Sequence, residues 1–102
     1  MNISRMAIDF KGGRITDDTL YITNFDDPTS YIDLDVLLVE YPNNYVVDVS
    51  FRDSANQLSI NVISGFDWDN PVYTKSIERH DKIGLISSIK EAVDIAVKGY
   101  IK

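Results

Sequence analysis

The chain of 102 residues has no cysteine, which closes off both a disulfide framework and thiolate chemistry. It has one histidine, His80, so a classical zinc site would lack ligands. No apolar run approaches the roughly 20 residues that a membrane-crossing helix needs. The N-terminus MNISRMAIDF lacks the apolar core of a signal peptide, so the expected compartment is the cytoplasm. There is no Walker sequence, dinucleotide fingerprint or HExxH motif. A Ser–His–Asp set could be drawn only from the sequence neighbours Ser76, His80 and Asp81, without a nucleophile elbow or an oxyanion glycine motif. Asp67-Trp68-Asp69-Asn70 spaces its oxygens like the start of a calcium loop. The central glycine and the closing glutamate are missing, and local Asx turns account for it better. The expectation is a chain without catalytic residues, cofactor or metal.

What is present is acid. Sixteen Asp and Glu stand against ten Lys and Arg, a formal net charge of -6. The excess is segregated: residues 1–51 carry nine acids and three bases, whereas residues 52–102 carry seven of each. Between Ile15 and Phe51 there is no Lys or Arg, only Asp17, Asp18, Asp26, Asp27, Asp33, Asp35, Glu40 and Asp48. Solubility needs net charge, but it does not need such an interval. A field of one sign repels nucleic-acid phosphates and attracts basic partners. Six aromatics, among them Tyr31 and Tyr41, are interleaved with these acids.

Hydrophobic periodicity supplies the scaffold. Strands are expected at residues 4–10 and 19–24, with a tight turn at Gly12-Gly13. Three further strands, 31–41, 45–52 and 58–64, form a meander joined by turns at Pro42-Asn43-Asn44 and at residues 53–56. A two-residue loop at Asn43-Asn44 would pair Leu38 with Val49 and Val36 with Phe51. A four-residue loop at 53–56 would pair Val49 with Ile60. One face then carries Ile32, Leu34, Val36, Leu38, Val47, Val49, Phe51, Leu58, Ile60 and Val62. A short extended piece follows at 72–75. One helix is expected over about 81–98, with Asp81 as N-cap, Gly99 as the stop and Ile83, Ile86, Ile89, Val93, Ala96, Val97 and Tyr100 as its apolar stripe. The expected fold is α+β: an antiparallel sheet of four to five strands with one long C-terminal helix packed on one face, in a single domain.

The same register places Tyr31, Asp33, Asp35, Leu37, Val39, Tyr41, Val46, Asp48 and Ile63 on the second face, with Asp35 opposite Arg52. Such a face is either covered by the N-terminal hairpin or used for binding, with aromatics at the centre and aspartates at the rim. Aspartates on a rigid sheet, about 5–7 Å apart, can imitate backbone phosphates and occupy a basic groove. The expected partner-binding residues are Asp26, Asp27, Tyr31, Asp33, Asp35, Tyr41, Asp48 and Trp68. Trp68, the only tryptophan, stands between two carboxylates as either a lid on the core or an anchor for a partner.

In character the chain resembles, as a loose class, the immunity proteins of bacterial toxin systems and phage-encoded inhibitors of nucleases. It is small, acidic and cysteine-free, with an α+β pattern and no catalytic motif. The resemblance implies an interaction or inhibitor protein whose partner is basic, such as a toxin nuclease or another nucleic-acid enzyme. It implies no direct contact with nucleic acid or membrane. The alternative is a structural or assembly module, a homodimer or larger homo-oligomer through the sheet face with no inhibitory role.

Overall fold

The computed structural model of the protein describes residues 8–17, 20, 35–52 and 56–101. Within them run β1 (Arg14–Asp17), β2 (Asp35–Tyr41), β3 (Tyr45–Arg52), β4 (Gln57–Ser64), β5 (Tyr73–Glu78) and α1 (Lys82–Ile101). The strands form one antiparallel sheet in the order β1-β2-β3-β4-β5. Every connection is therefore between neighbours, and α1 lies across β3 and β4. This is the expected α+β architecture. No helix among the described residues is long and apolar enough to cross a membrane.

Alternation in β3 and β4 builds the face under the helix. Val47 pairs with Val62, Val49 with Ile60 and Phe51 with Leu58, as the four-residue loop requires. Leu85, Ile89, Ala92, Val93 and Ala96 of α1 close over these side chains in one core, which also takes in Ile8, Phe10 and Leu20. The helix starts where expected: Asp81 Oδ1 accepts the Gly84 N–H at 3.0 Å, satisfying one of the unpaired donors of the first turn. The carboxylate stands where a Cβ at residue 84 would be, so a side chain there would shift the Asp81 side chain.

Four expectations are corrected. First, β2 is out of phase with its expected register. Residues 42–44 form a single 3-10 turn, in which the Tyr45 N–H returns to the Pro42 carbonyl, so the loop has three residues and not two. Glu40 then pairs with Val46, Val39 with Val47 and Leu37 with Val49. A period of two means that this slip turns Leu37, Val39 and Tyr41 toward the helix and Leu38 away from it. A bulge between Asp35 and Leu37 buries Val36 as well, and it sets Asp35 opposite Ser50 instead of Arg52. Second, Gly99 is not the helix stop, since α1 continues to Ile101. A Cβ at Gly99 would overlap the Tyr45 ring, so the glycine permits the close approach of helix to sheet. Third, Ile83 is 85% exposed, and Leu85 takes the first core position of the helix. Fourth, residues 8–10 are not in a strand, β1 forms directly after the expected turn where no strand is expected, and β5 is longer than the short extended piece expected at 72–75. Of the expected strands at 4–10 and 19–24, residues 4–7, 19 and 21–24 lie outside the described residues.

Candidate functional site

The turn before β1 fixes the fate of one expected site residue. Lys11 and Gly12 have φ of 53° and 87°, and the Gly13 N–H donates to the Phe10 carbonyl at 3.1 Å. Positive φ at both central positions belongs to the primed turns. Gly13 then lies flat against Val39 and Tyr41, leaving no room for a Cβ. Tyr41 is buried beneath this turn, and its hydroxyl donates to the same Phe10 carbonyl at 2.7 Å. Tyr41 therefore fastens the N-terminal turn to β2, and the expectation of a surface contact at Tyr41 is corrected.

The second face of the sheet is a polar ladder. Asp48, Asn61 and Thr74 are cross-strand neighbours on β3, β4 and β5. Asn61 Nδ2 donates to Asp48 Oδ2 at 3.3 Å, and Thr74 Oγ1 donates to Asn61 Oδ1 at 2.7 Å. Ser59 is buried beside them and exchanges contacts of 3.2 and 3.4 Å with the Asn61 amide. Asp48 is half-buried and engaged by this ladder. Val46 and Ile63, on the same face, are buried, so of the two expected alternatives for these apolar residues, internal cover or an open binding surface, cover within the chain is the one found. Asp35 lies at the start of β2. Asp26, Asp27, Tyr31 and Asp33 lie outside the described residues.

Trp68 has a different setting. It is 50% exposed, and so is no lid on the core. The β4–β5 loop that carries it is two turns in series. In the first, Asp67 N–H donates to Ser64 O at 3.2 Å, with Gly65 and Phe66 at the corners at φ 64° and 60°. In the second, Asn70 N–H donates to Asp67 O at 3.2 Å, with Trp68 and Asp69 at the corners. The Gly65 N–H ties the loop to Asn44 O of the β2–β3 turn at 3.1 Å, and the Val72 N–H ties its far end to Val62 O at 2.9 Å. Asn70 Nδ2 reaches both Asp67 carboxylate oxygens at 3.3 and 3.4 Å. Phe66 is 58% and Val72 56% exposed, so three large apolar side chains stand in solvent within seven residues. Asp67 and Asp69 are exposed among them, and neither has a cationic partner among the described residues. No Lys, Arg or His occurs between Arg52 and Lys75.

Phe66 is informative because it violates two preferences together. A bulky residue at positive φ costs roughly 1–2 kcal/mol. Its ring then recovers little within the fold, because it is mostly exposed. Composition marked this segment as a loop. It gave no sign that Phe66 and Val72 would be exposed beside Trp68, because a phenylalanine in a loop packs inward as readily as outward.

Next to the loop, Tyr45, Val72, Ile95, Lys98 and Gly99 line a shallow notch of about 370 Å³. A smaller one, of about 190 Å³, lies between Asp9, Lys11, Lys90, Val93 and Asp94. There the Lys11 ammonium sits 2.7 Å from Asp94. The hydrogen bond and charge of Lys11 hold the Asp94 carboxyl below its usual range, and Asp94 in turn holds Lys11 above its own. Burial, followed by the nearby Glu91 carboxylate, pushes the Tyr73 phenol up. No group of three or more potential metal ligands occurs among the described residues.

No protein-family model matches this chain, and no curated protein and no solved structure matches it.

Proposed function

We propose that this chain is a non-catalytic binding protein that docks on a basic protein in the cytoplasm, as an inhibitor or immunity protein does, and that the β4–β5 loop is its anchor. The observation that carries this reading is the exposure of Phe66, Trp68 and Val72 on a hydrogen-bonded loop with Asp67 and Asp69 between them. Large aromatics held in place before binding lose little entropy on binding, and such residues dominate interface energetics. The carboxylates select for positive charge. The base-free interval from Ile15 to Phe51 adds a long-range field of the same sign, which accelerates encounter with a basic partner. A nuclease or another nucleic-acid enzyme is the fitting partner class, because its substrate groove must itself be basic.

The test is capture of the partner from cells by the tagged chain, followed by association kinetics at low and high salt. The captured protein is expected to be basic, and its association rate to fall as salt rises. Trp68→Ala is expected to weaken the complex by about tenfold or more, the size of an aromatic hot spot. A rate indifferent to salt, together with a Trp68→Ala complex of unchanged affinity, would refute the reading. A rise of scattering mass with concentration that Trp68→Ala abolishes would assign the patch to self-association instead.

A further inference from the structure

We infer that the group received by the β4–β5 loop is an arginine side chain of the partner, with its guanidinium stacked on Trp68 and paired with the carboxylates of Asp67 and Asp69. This rests on the reading of the chain as a binder of basic proteins and specifies the chemistry of its anchor.

The argument begins with what the loop offers. Trp68 and Asp69 occupy the two corners of the second turn, and Asp67 opens that turn. An indole is the strongest of the aromatic cation acceptors, and at half exposure it leaves surface open to a partner. Asp67 lies within reach of the Asn70 amide at 3.3 and 3.4 Å, long contacts between two exposed side chains, so its carboxylate stays accessible to a partner. Phe66 and Val72 supply apolar surface for an aliphatic stem.

Lysine and arginine differ in how they use such a site. The guanidinium is planar and weakly hydrated, and it can stack on a ring while its N–H fork meets a carboxylate. An ammonium is compact and strongly hydrated, so it gives up more on leaving water and meets a carboxylate as a point charge. A patch of carboxylates alone would take either cation. An indole between two carboxylates favours arginine. No Lys, Arg or His stands in the chain between Arg52 and Lys75, and the Lys98 of α1 that lines the notch beside Val72 is the basic residue placed next to the loop.

The chain carries its own reporter, because Trp68 is its only tryptophan. Its fluorescence is followed during titration of the full chain with an octa-arginine peptide and, separately, an octa-lysine peptide, at low and moderate salt. The expected result is a saturable change with octa-arginine. Its midpoint should be about two- to fivefold lower than that of octa-lysine, the size of one exposed cation–π contact. Asp67→Asn with Asp69→Asn should raise the octa-arginine midpoint by about two- to thirtyfold, the scale of two exposed ion pairs. Asparagine retains an acceptor for Asn70, and the residues are exposed, so the fold should be unaffected; an unchanged thermal midpoint confirms this. Equal midpoints for the two peptides would overturn the arginine assignment while leaving the basic-partner reading intact. A response that survives the double substitution would also overturn it, because the carboxylates would then have no part. No response to either peptide would overturn it too, and the salt dependence of the captured complex then decides the broader reading separately.

Discussion

Replacing Tyr41 with phenylalanine separates a structural tyrosine from a binding one. The ring stays, so packing in the core is kept, and only the hydroxyl that donates to Phe10 O at 2.7 Å is lost. That carbonyl still accepts the Gly13 N–H at 3.1 Å, so it is not left without a donor. The cost is then the net worth of one buried hydrogen bond, about 0.5–1.5 kcal/mol, and not the larger penalty of an orphaned group. For a domain of this size the thermal midpoint should fall by about 4–8 °C per kcal/mol. Gly13→Ala attacks the same junction by volume: its Cβ would stand 2.5 Å from Val39 Cγ1 and 2.6 Å from Tyr41 Cζ. Both neighbours are buried, so overpacking of about 1–3 kcal/mol should outweigh the ~0.4–1 kcal/mol gained from a stiffer unfolded chain. Urea denaturation of both variants, beside binding of the captured partner, is the assay. Loss of binding by Tyr41→Phe at unchanged stability would refute the argument, since it would make Tyr41 a contact residue.

Other perturbations test other parts of the fold. Asp81→Ala should cost about 1 kcal/mol by removing the helix cap, and Gly84→Ala, whose methyl would displace the Asp81 carboxylate, should change stability by less than about 1 kcal/mol because the lost cap offsets alanine's helix propensity of similar size; urea midpoints check both. Asp94→Asn should lower the thermal midpoint slightly at neutral pH. Lys11 depresses the Asp94 pKa in the folded state, so this contribution is fully present above the ordinary aspartate value and is lost as pH falls from there through the lower folded-state value. The curves of wild type and variant should therefore converge once the pH is below the lowered folded-state value, and added salt should narrow the gap at neutral pH because both groups are half exposed.

The register error in β2 shows where sequence reading stops. Over residues 36–39 both alternating sets are apolar: Val36 and Leu38 in one, Leu37 and Val39 in the other. Periodicity cannot choose between them, so the phase depends on loop length, and a proline followed by two asparagines suits a two-residue loop or a 3-10 turn. In β3 and β4 only one set is uniformly apolar, since Asp48 and Arg52 mark the other in β3 and Asn61 in β4, and there the expected pairing is the one found. The same ambiguity misplaced the helix stripe at Ile83 and misread Gly99, whose meaning depends on a tyrosine 54 positions earlier in the chain.

Composition, alternation and a single capping aspartate determined the class of fold, the pairing of its two central strands and the start of its helix, because these follow from interactions between residues close in sequence or from a parity that admits one solution. Only the tertiary structure decided which face β2 presents, that Tyr41 is locked under the N-terminal turn, and that Phe66, Trp68 and Val72 are each exposed to solvent. Each of those depends on whether distant chain segments cover a side chain, and local preference carries no record of what will lie above it.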